Sequence, residues 1–378
     1  MDTFIGILIF ILILGVVIFI HELGHFLAAR HAGIFVEEFA LGMGPKLFGF
    51  HGKKKSLDGE TTLFSLRALP IGGFCRMRGM DDESPDDPEA MNSKSIPARS
   101  LVMAGGSIMN FLLAFVLFFA LVMMNGYPSN DIASVEAGFP AYDAGVRARD
   151  VITHINGTCV SVSDSLATVL QETGGADVTL RVDRRGTYHD FTITPLRIEV
   201  EGGHIYRLGI GHRAFGLLSL GGNFEGDFRL ITPWEGTIGA GREIIFHISA
   251  PFQLLSQLIA GDPMPEGGAL MGPIGIAAIV VEVYQETIEY SIIDTILTMI
   301  FLAALLNTAL GVMNLLPIPA LDGAKLVFLA IEAVRRKPIP PEKEAYVHIA
   351  GMILLLALAI FIAYQDIARL INPGAYPG

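Results

Sequence analysis

Residues His21-Glu22-Leu23-Gly24-His25 interrupt an apolar stretch, 4–29, that is long enough to cross a membrane. No polar side chain occurs from 4 to 20, and Phe26-Leu27-Ala28-Ala29 continues the run after the motif. Ionisable groups inside a spanning helix cost roughly 2.5–3.5 kcal/mol each at mid-helix on insertion scales, so a His-Glu-His cluster there points to function before packing. On a helix, residues four apart share a face with Cβ atoms about 5–6 Å apart. His21 and His25 can therefore offer two imidazoles to one metal ion, with Glu22 beside them. A zinc ion so held keeps a position for water, lowers its pKa toward about 7 and leaves Glu22 to take the proton. The chemistry is that of peptide-bond hydrolysis. Isolated matches to this five-residue pattern occur by chance in soluble helices; the apolar setting is what makes this one informative. A cleaved secretory leader does not fit, because no Lys or Arg precedes Arg30 and no small-residue cleavage site follows the run.

The 378 residues are 52% hydrophobic and 17% charged, with a net charge of -12, the composition of an integral membrane protein that carries a soluble part. The acidic balance excludes a nucleic-acid partner. Spanning-length windows occur at 4–29, 101–124, about 292–316 and 346–364, which predicts four crossings of a lipid bilayer. A further apolar stretch, 244–260, contains His247, Ser249, Gln253 and Gln257 and reads as an interfacial amphipathic helix.

All eight lysines fall in 46–94 or 325–343, and none lies between 126 and 291. By the positive-inside rule the first and third loops face the cytosol, so both termini and the long middle segment lie outside. The two cysteines, Cys75 and Cys159, then sit on opposite sides of the membrane, too few and too far apart for a disulfide or a thiolate zinc site.

Composition changes along the chain. Residues 59–77 alternate apolar and polar types around Gly72-Gly73, which predicts a β hairpin, and the acidic stretch 81–89 predicts an exposed connector. From about 129 to 195 short alternating strands are punctuated by glycines, the pattern of a small β-rich domain. Its stretch 140–157, Pro-Ala-Tyr-Asp-Ala-Gly-Val-Arg-Ala-Arg-Asp-Val-Ile-Thr-His-Ile-Asn-Gly, resembles a PDZ domain in the circularly arranged form of bacterial proteases. The expected organisation is a membrane core over 1–125, holding spans 1 and 2 and a cytosolic hairpin loop; a PDZ-like domain over 126–200; an extracytoplasmic linker with the interfacial helix over 201–290; and a second core segment over 291–378.

Catalytic zinc usually takes three protein ligands plus water, so one is missing from the HELGH helix. Spans 1 and 3 run in the same direction, and span 3 ends in Asn314-Leu315-Leu316-Pro317-Ile318-Pro319-Ala320-Leu321-Asp322-Gly323. Asp322 therefore falls at the depth the metal needs. The two prolines break the helix there and free carbonyls that could line a water-filled cavity.

The pair HELGH and NLLPIPALDG resembles the signatures of the site-2 protease family of intramembrane zinc metalloproteases, in the bacterial branch that includes the sigma-E regulator protease. Residues 69–74, 105–111 and 272–275 also resemble family segments, so the likeness covers nearly the whole chain. The resemblance implies a polytopic α-helical membrane protein with an inserted β-rich, PDZ-like extracytoplasmic domain. It implies that His21, His25 and Asp322 bind Zn2+, that Glu22 is the base and that Asn314 helps to hold substrate. Gly323-Ala324-Lys325 replaces the frequent Gly-Gly-His, and Gly105-Gly106-Ser107 replaces a frequent Gly-Pro; neither change removes a ligand. The implied activity is endopeptidase cleavage of single-span membrane substrates, of anti-sigma-factor or signal-peptide-remnant type, in regulated intramembrane proteolysis at the bacterial inner membrane. An upstream site-1 protease acting on the same substrate is the implied partner. A membrane-anchored scaffold with a structural metal has no use for Glu22, and a transporter is disfavoured by the lack of an evident internal repeat. Asn110, Asp294, Asn307 and His348, in or at the ends of spans 2, 3 and 4, could each line the cavity; for Asn307 and His348 interhelical hydrogen bonds are the expectation.

Overall fold

The structure is a computed structural model that describes residues 2–80, 86–125, 128–159, 166–200, 203–214, 232–260, 272–289 and 291–371. Part of the acidic connector 81–89 and the Gly-rich stretch 215–231 lie outside the described residues. Among the described residues four helices are long and apolar enough to cross a membrane: α1 (Asp2–His31), most of α2 (Ile96–Asn125), and two later ones described below. The chain divides into two compact units, Met1–Ala114 with His247–Gly378, and Phe115–Phe246.

In the first unit, α1 is followed by two long strands, β1 (Val36–Lys55) and β2 (Thr61–Met77). The turn between them is closed by Ser56 N–H to the Glu60 carbonyl (2.7 Å) and Glu60 N–H to Ser56 Oγ (3.0 Å). The chain reverses at 56–60 and again across 67–72, just before the expected Gly72-Gly73, because 63–66 and 73–76 both pair with 38–41 but run in opposite directions. Each strand bends and pairs more than once, so that Phe39 lies opposite Phe64 on one side and Cys75 on the other. Glu38, only 3% exposed within this sheet, accepts hydrogen bonds from Ser65 Oγ (2.6 Å), Arg67 Nη2 (2.7 Å) and Arg76 Nη2 (2.5 Å). Burial works to raise its pKa, but these donors outweigh it and hold the carboxyl below the usual range. The sheet packs on the motif end of α1 through Ala29, Phe39, Cys75 and Met77, joined by Val102 and Met103 of α2.

The rest of this unit is helical. α5, which follows the β strands described below, spans Pro233–Ala260 and begins eleven residues before the predicted amphipathic helix. α6 (Pro273–Ile288) was not anticipated; at 16 residues it is too short for the spanning-length windows. It packs Val280 and Tyr284 against Ile13 and Val17 of α1 and Met299 of α7. Its N-terminus is held by Asp366, whose Oδ2 accepts from Gly272 N–H (3.1 Å) and Gly275 N–H (2.8 Å). α7 (Ile292–Leu315) is the third spanning helix, α8 (Asp322–Arg335) a shorter amphipathic one, and α9 (Pro341–Ile371) contains the fourth span.

The second unit is β-rich. Strands β3 (Pro128–Val135), β4 (Val151–Ile155), β5 (Thr158–Cys159), β6 (Val178–Arg184), β7 (Thr187–Ile193) and β10 (Ile210–Ala214) form one sheet in the order β10-β3-β4-β6-β7, with β5 on β4. β8 (Leu196–Val200) and β9 (Gly203–Arg207) make a separate hairpin. Two short helices, α3 (Pro140–Asp143) and α4 (Leu166–Glu172), lie in this unit together with the end of α2 and the part of α5 up to Phe246. β10 pairs with β3, so the sheet is completed by strands beyond residue 200. Alternate residues of β6, Val178, Leu180 and Val182, point inward, and with Ile152 and Ile155 of β4, which lie either side of a register shift, they form the core with Ile132 and Leu208.

At the edge of that core Asp150, 1% exposed, forms a two-pronged pair with Arg184, Nε to Oδ1 and Nη2 to Oδ2 both at 2.7 Å, and accepts Arg147 N–H at 2.9 Å. Burial alone would raise its pKa; the Arg184 fork and the Arg147 amide reverse the sign and lower it. The pair's contribution is therefore complete above the unfolded carboxylate pKa of about 4 and is lost as pH falls through the lower folded value. Asp150→Ala strands a partly buried guanidinium and is expected to lower the opening free energy of β4 and β6 amides by about 3 kcal/mol in native-state hydrogen exchange. Unchanged protection would show that the pair is energetically idle.

Candidate metal centre

The helix geometry expected of HELGH is realised in α1. His21 and His25, 8% and 6% exposed, project from one face with ring centroids 4.8 Å apart and planes at 81°. Glu22 points to the side of the β1–β2 sheet, its Cγ 3.0 Å from the position a Cβ on Gly73 would take. It lies within electrostatic reach of His21, His25 and Asp322.

Asp322 is brought to the two histidines from the far end of the sequence, though not on span 3 itself. α7 stops at Leu315 because Leu316 precedes Pro317 and takes an extended conformation (φ -64, ψ 144). The segment then turns tightly, with Ile318 N–H to the Leu316 carbonyl (2.7 Å) and Leu321 N–H to the Ile318 carbonyl (3.1 Å), and α8 starts at Asp322. Ala320 takes φ +79, and its N–H donates to His348 Nδ1 of α9 at 3.0 Å. Gly323 is required by close approach, because a Cβ there would collide with the Leu315 and Leu316 carbonyls. Farther along α8, Arg99 of α2 clamps Glu332 through Nη1 (3.1 Å) and Nη2 (2.5 Å). Both ends of α8 are thus tied down, which fixes where its first residue points.

The three donor atoms form a nearly equilateral triangle. His21 Nε2 lies 3.2 Å from His25 Nε2, and Asp322 Oδ2 lies 3.2 Å from the first and 3.1 Å from the second. Zinc ligands about 2.0–2.1 Å from the ion in tetrahedral geometry stand about 3.3 Å from one another. The observed spacing fits that arrangement, and among the described residues this is the group of three His, Cys, Asp or Glu side chains able to hold a metal ion. Two imidazole nitrogens and one carboxylate leave a fourth position, as in hydrolytic rather than structural sites. Asn314, on the last turn of α7, places Nδ2 3.5 Å from His21 Nε2, at the rim of the triangle.

Two features of the site escaped sequence reasoning, and a third, Asn110, was legible only as a polar residue in span 2 that could line a cavity. α2 crosses α1 at Gly24 and Gly105 so closely that a Cβ on Gly24 would strike the Gly105 carbonyl. At the next residue, a Cβ on Gly106 would stand 2.5 Å from His21 Cε1 and from His25 Nε2. Asn110, fully buried, faces His21 Nδ1 at 3.2 Å. Small residues at a helix crossing were the available signal. The expected interhelical bonds of Asn307 and His348 are replaced by others: Asn307 Nδ2 donates to Ala303 of its own helix (2.8 Å), and His348 serves the loop before Asp322.

The comparisons with known proteins bear on this arrangement. The model of Peptidase family M50 matches residues 9–358. A protein of Clostridium acetobutylicum, provisionally named a zinc metalloprotease, is 33% identical over 370 residues, covering 98% of this chain and 99% of its own. Zinc metalloprotease RasP of Shouchella clausii is 29% identical, with 96% of this chain and 99% of its own covered. RasP of Oceanobacillus iheyensis is 28% identical, with 96% and 98% covered. The match takes in the histidine pair on the first spanning helix and the aspartate of α8 that meets it: the chain belongs to peptidase family M50, the site-2 proteases.

Proposed function

We propose that the chain is a bacterial intramembrane zinc endopeptidase that cuts single-span membrane proteins, with His21, His25 and Asp322 as the metal ligands and Glu22 as the base. The observation that carries this reading is the donor triangle, built at the end of a spanning helix with Glu22 next to it. Bound zinc supplies Lewis acidity, polarising a carbonyl and bringing the pKa of water toward about 7. Glu22 takes the proton of the attacking water as the C–O bond forms and then delivers it to the amide nitrogen, after which the peptide C–N bond breaks. Asn314 Nδ2 donates a hydrogen bond at the rim, where a substrate carbonyl would lie.

A helical substrate hides its peptide bonds inside its own hydrogen-bonding pattern, so it must be extended before cleavage. The β2 stretch at Gly73 runs beside Glu22, and an extended peptide laid along a strand edge there would meet the base. The Pro317–Pro319 loop supplies further non-helical backbone at the site, of the kind tolerated at membrane depth only where it lines a cavity.

The remaining assignments rest on the sequence and its resemblances. We read residues 1–125 and 291–378 as the membrane core, 126–200 as the nucleus of a PDZ-like domain outside the cytoplasmic membrane, and 201–290 as the extracytoplasmic segment linking it to span 3. The lysine distribution supports both termini outside. The PDZ-like domain acts as a docking site or size filter for substrates already trimmed by a site-1 protease, which suits anti-sigma factors and signal-peptide remnants.

Two outcomes test the assignment of roles in detergent or liposomes with a single-span substrate. Glu22→Gln is expected to lower cleavage by about 10²–10⁴-fold while retaining zinc, the contribution typical of proton transfer; cleavage at the wild-type rate would end the proposed mechanism. Asp322→Ala is expected to lose most of its zinc by atomic absorption along with activity, and full stoichiometry with full activity would remove Asp322 from the ligand set.

A further inference from the structure

One stripe of α2, residues 102, 106 and 110 at spacing four, lies against both histidines. The Val102 carbonyl accepts a hydrogen bond from His25 Nδ1 at 2.8 Å. A carbonyl can only accept, so Nδ1 of His25 carries a proton and the Nε2 lone pair of the neutral ring is left for a metal. Gly106, bare of side chain, lets the helix pass directly beneath the two rings. Asn110 then meets Nδ1 of His21 at 3.2 Å, with a side chain that is 0% exposed.

His21 needs the same tautomer as His25 if its Nε2 is to bind metal, and this requires an acceptor opposite Nδ1. As placed, the Asn110 amide turns Nδ2 toward the ring, while Oδ1 has no hydrogen-bond partner. Turning the amide about its last torsion exchanges the two atoms, which have nearly the same shape, and sets Oδ1 to accept from His21 Nδ1–H. The unpartnered buried oxygen then has a donor. We propose that Asn110 is the positioning residue for His21: its amide oxygen holds the ring in the Nδ1–H tautomer, and α2, through Asn110 and Val102, thereby presets both imidazoles for metal binding.

This inference rests on the metal-site reading above, and its role is distinct from that of interhelical glue. Glue requires any bond between α1 and α2; a tautomer lock requires an acceptor at this atom. Asn110→Asp keeps an acceptor there, whereas Asn110→Leu fills much of the volume without one.

The test uses the full chain purified in detergent and measures Co2+ and Zn2+ affinity by competition with a chromophoric chelator, together with the visible absorption of the Co2+-loaded protein. Wild type is expected to bind one ion with the intense bands of a four-coordinate site. Asn110→Leu should weaken binding by about 10–100-fold, as loss of an outer partner does elsewhere, and alter the Co2+ bands. Asn110→Asp should keep wild-type affinity within a few-fold, or tighten it, with the bands preserved. Affinity in Asn110→Leu equal to wild type would overturn the proposal, as would equal losses in the Leu and Asp variants, which would mark Asn110 as structural. His21→Ala, run in parallel, separates the two levels: if it too binds metal like wild type, the metal-site reading fails and not merely the role of Asn110.

Discussion

The meeting of His21, His25 and Asp322 is the constraint around which the membrane part of this protein is arranged. Polar groups this deeply buried beside apolar helices are costly unless each finds a partner, and a carboxylate more so than an imidazole. Here three lone-pair atoms converge at 3.1–3.2 Å, an arrangement that a shared cation would satisfy. The neighbouring features follow from keeping that triangle closed. Glycines at 24, 105 and 106 let α2 approach, Gly323 lets α8 start against the end of α7, and the Arg99–Glu332 pair anchors the other end of α8.

A second consequence is that the site is assembled from segments with different tolerance for movement. The histidines stand on a continuous helix whose backbone hydrogen bonds are internal, whereas Asp322 follows a proline-broken loop with Ala320 in the left-handed region. That loop relies on α9 for support, through the His348 bond to Ala320 N–H and the contact of Gly351 with Pro319. The position of Asp322 therefore depends on the same few residues that hold the loop. A peptide that displaced the loop would also disturb Asp322.

Much of this was legible in the sequence. Hydropathy located four helices able to span, because twenty apolar residues have few other uses, and the i, i+4 histidines specified one face of a helix. The pairing with Asp322 was legible from direction and depth, although the aspartate opens its own helix after a break instead of extending span 3. What escaped lies in contacts between distant segments. α6 escaped because 16 residues make no spanning window; the course of the β1–β2 sheet, because each strand pairs more than once; and the completion of the β-rich unit by β10, because its partner β3 is some eighty residues earlier. Asn110 was visible as a polar residue in a span, but only the fold shows that it meets an imidazole.

X-ray absorption at the zinc edge of the purified full-length protein tests the central claim most directly. Two imidazoles and a carboxylate with one solvent position should give a first shell of about four nitrogen and oxygen scatterers near 2.0–2.1 Å, with outer-shell scattering from two imidazole rings. A sulfur scatterer near 2.3 Å, or a shell without imidazole scattering, would contradict a centre built from His21, His25 and Asp322.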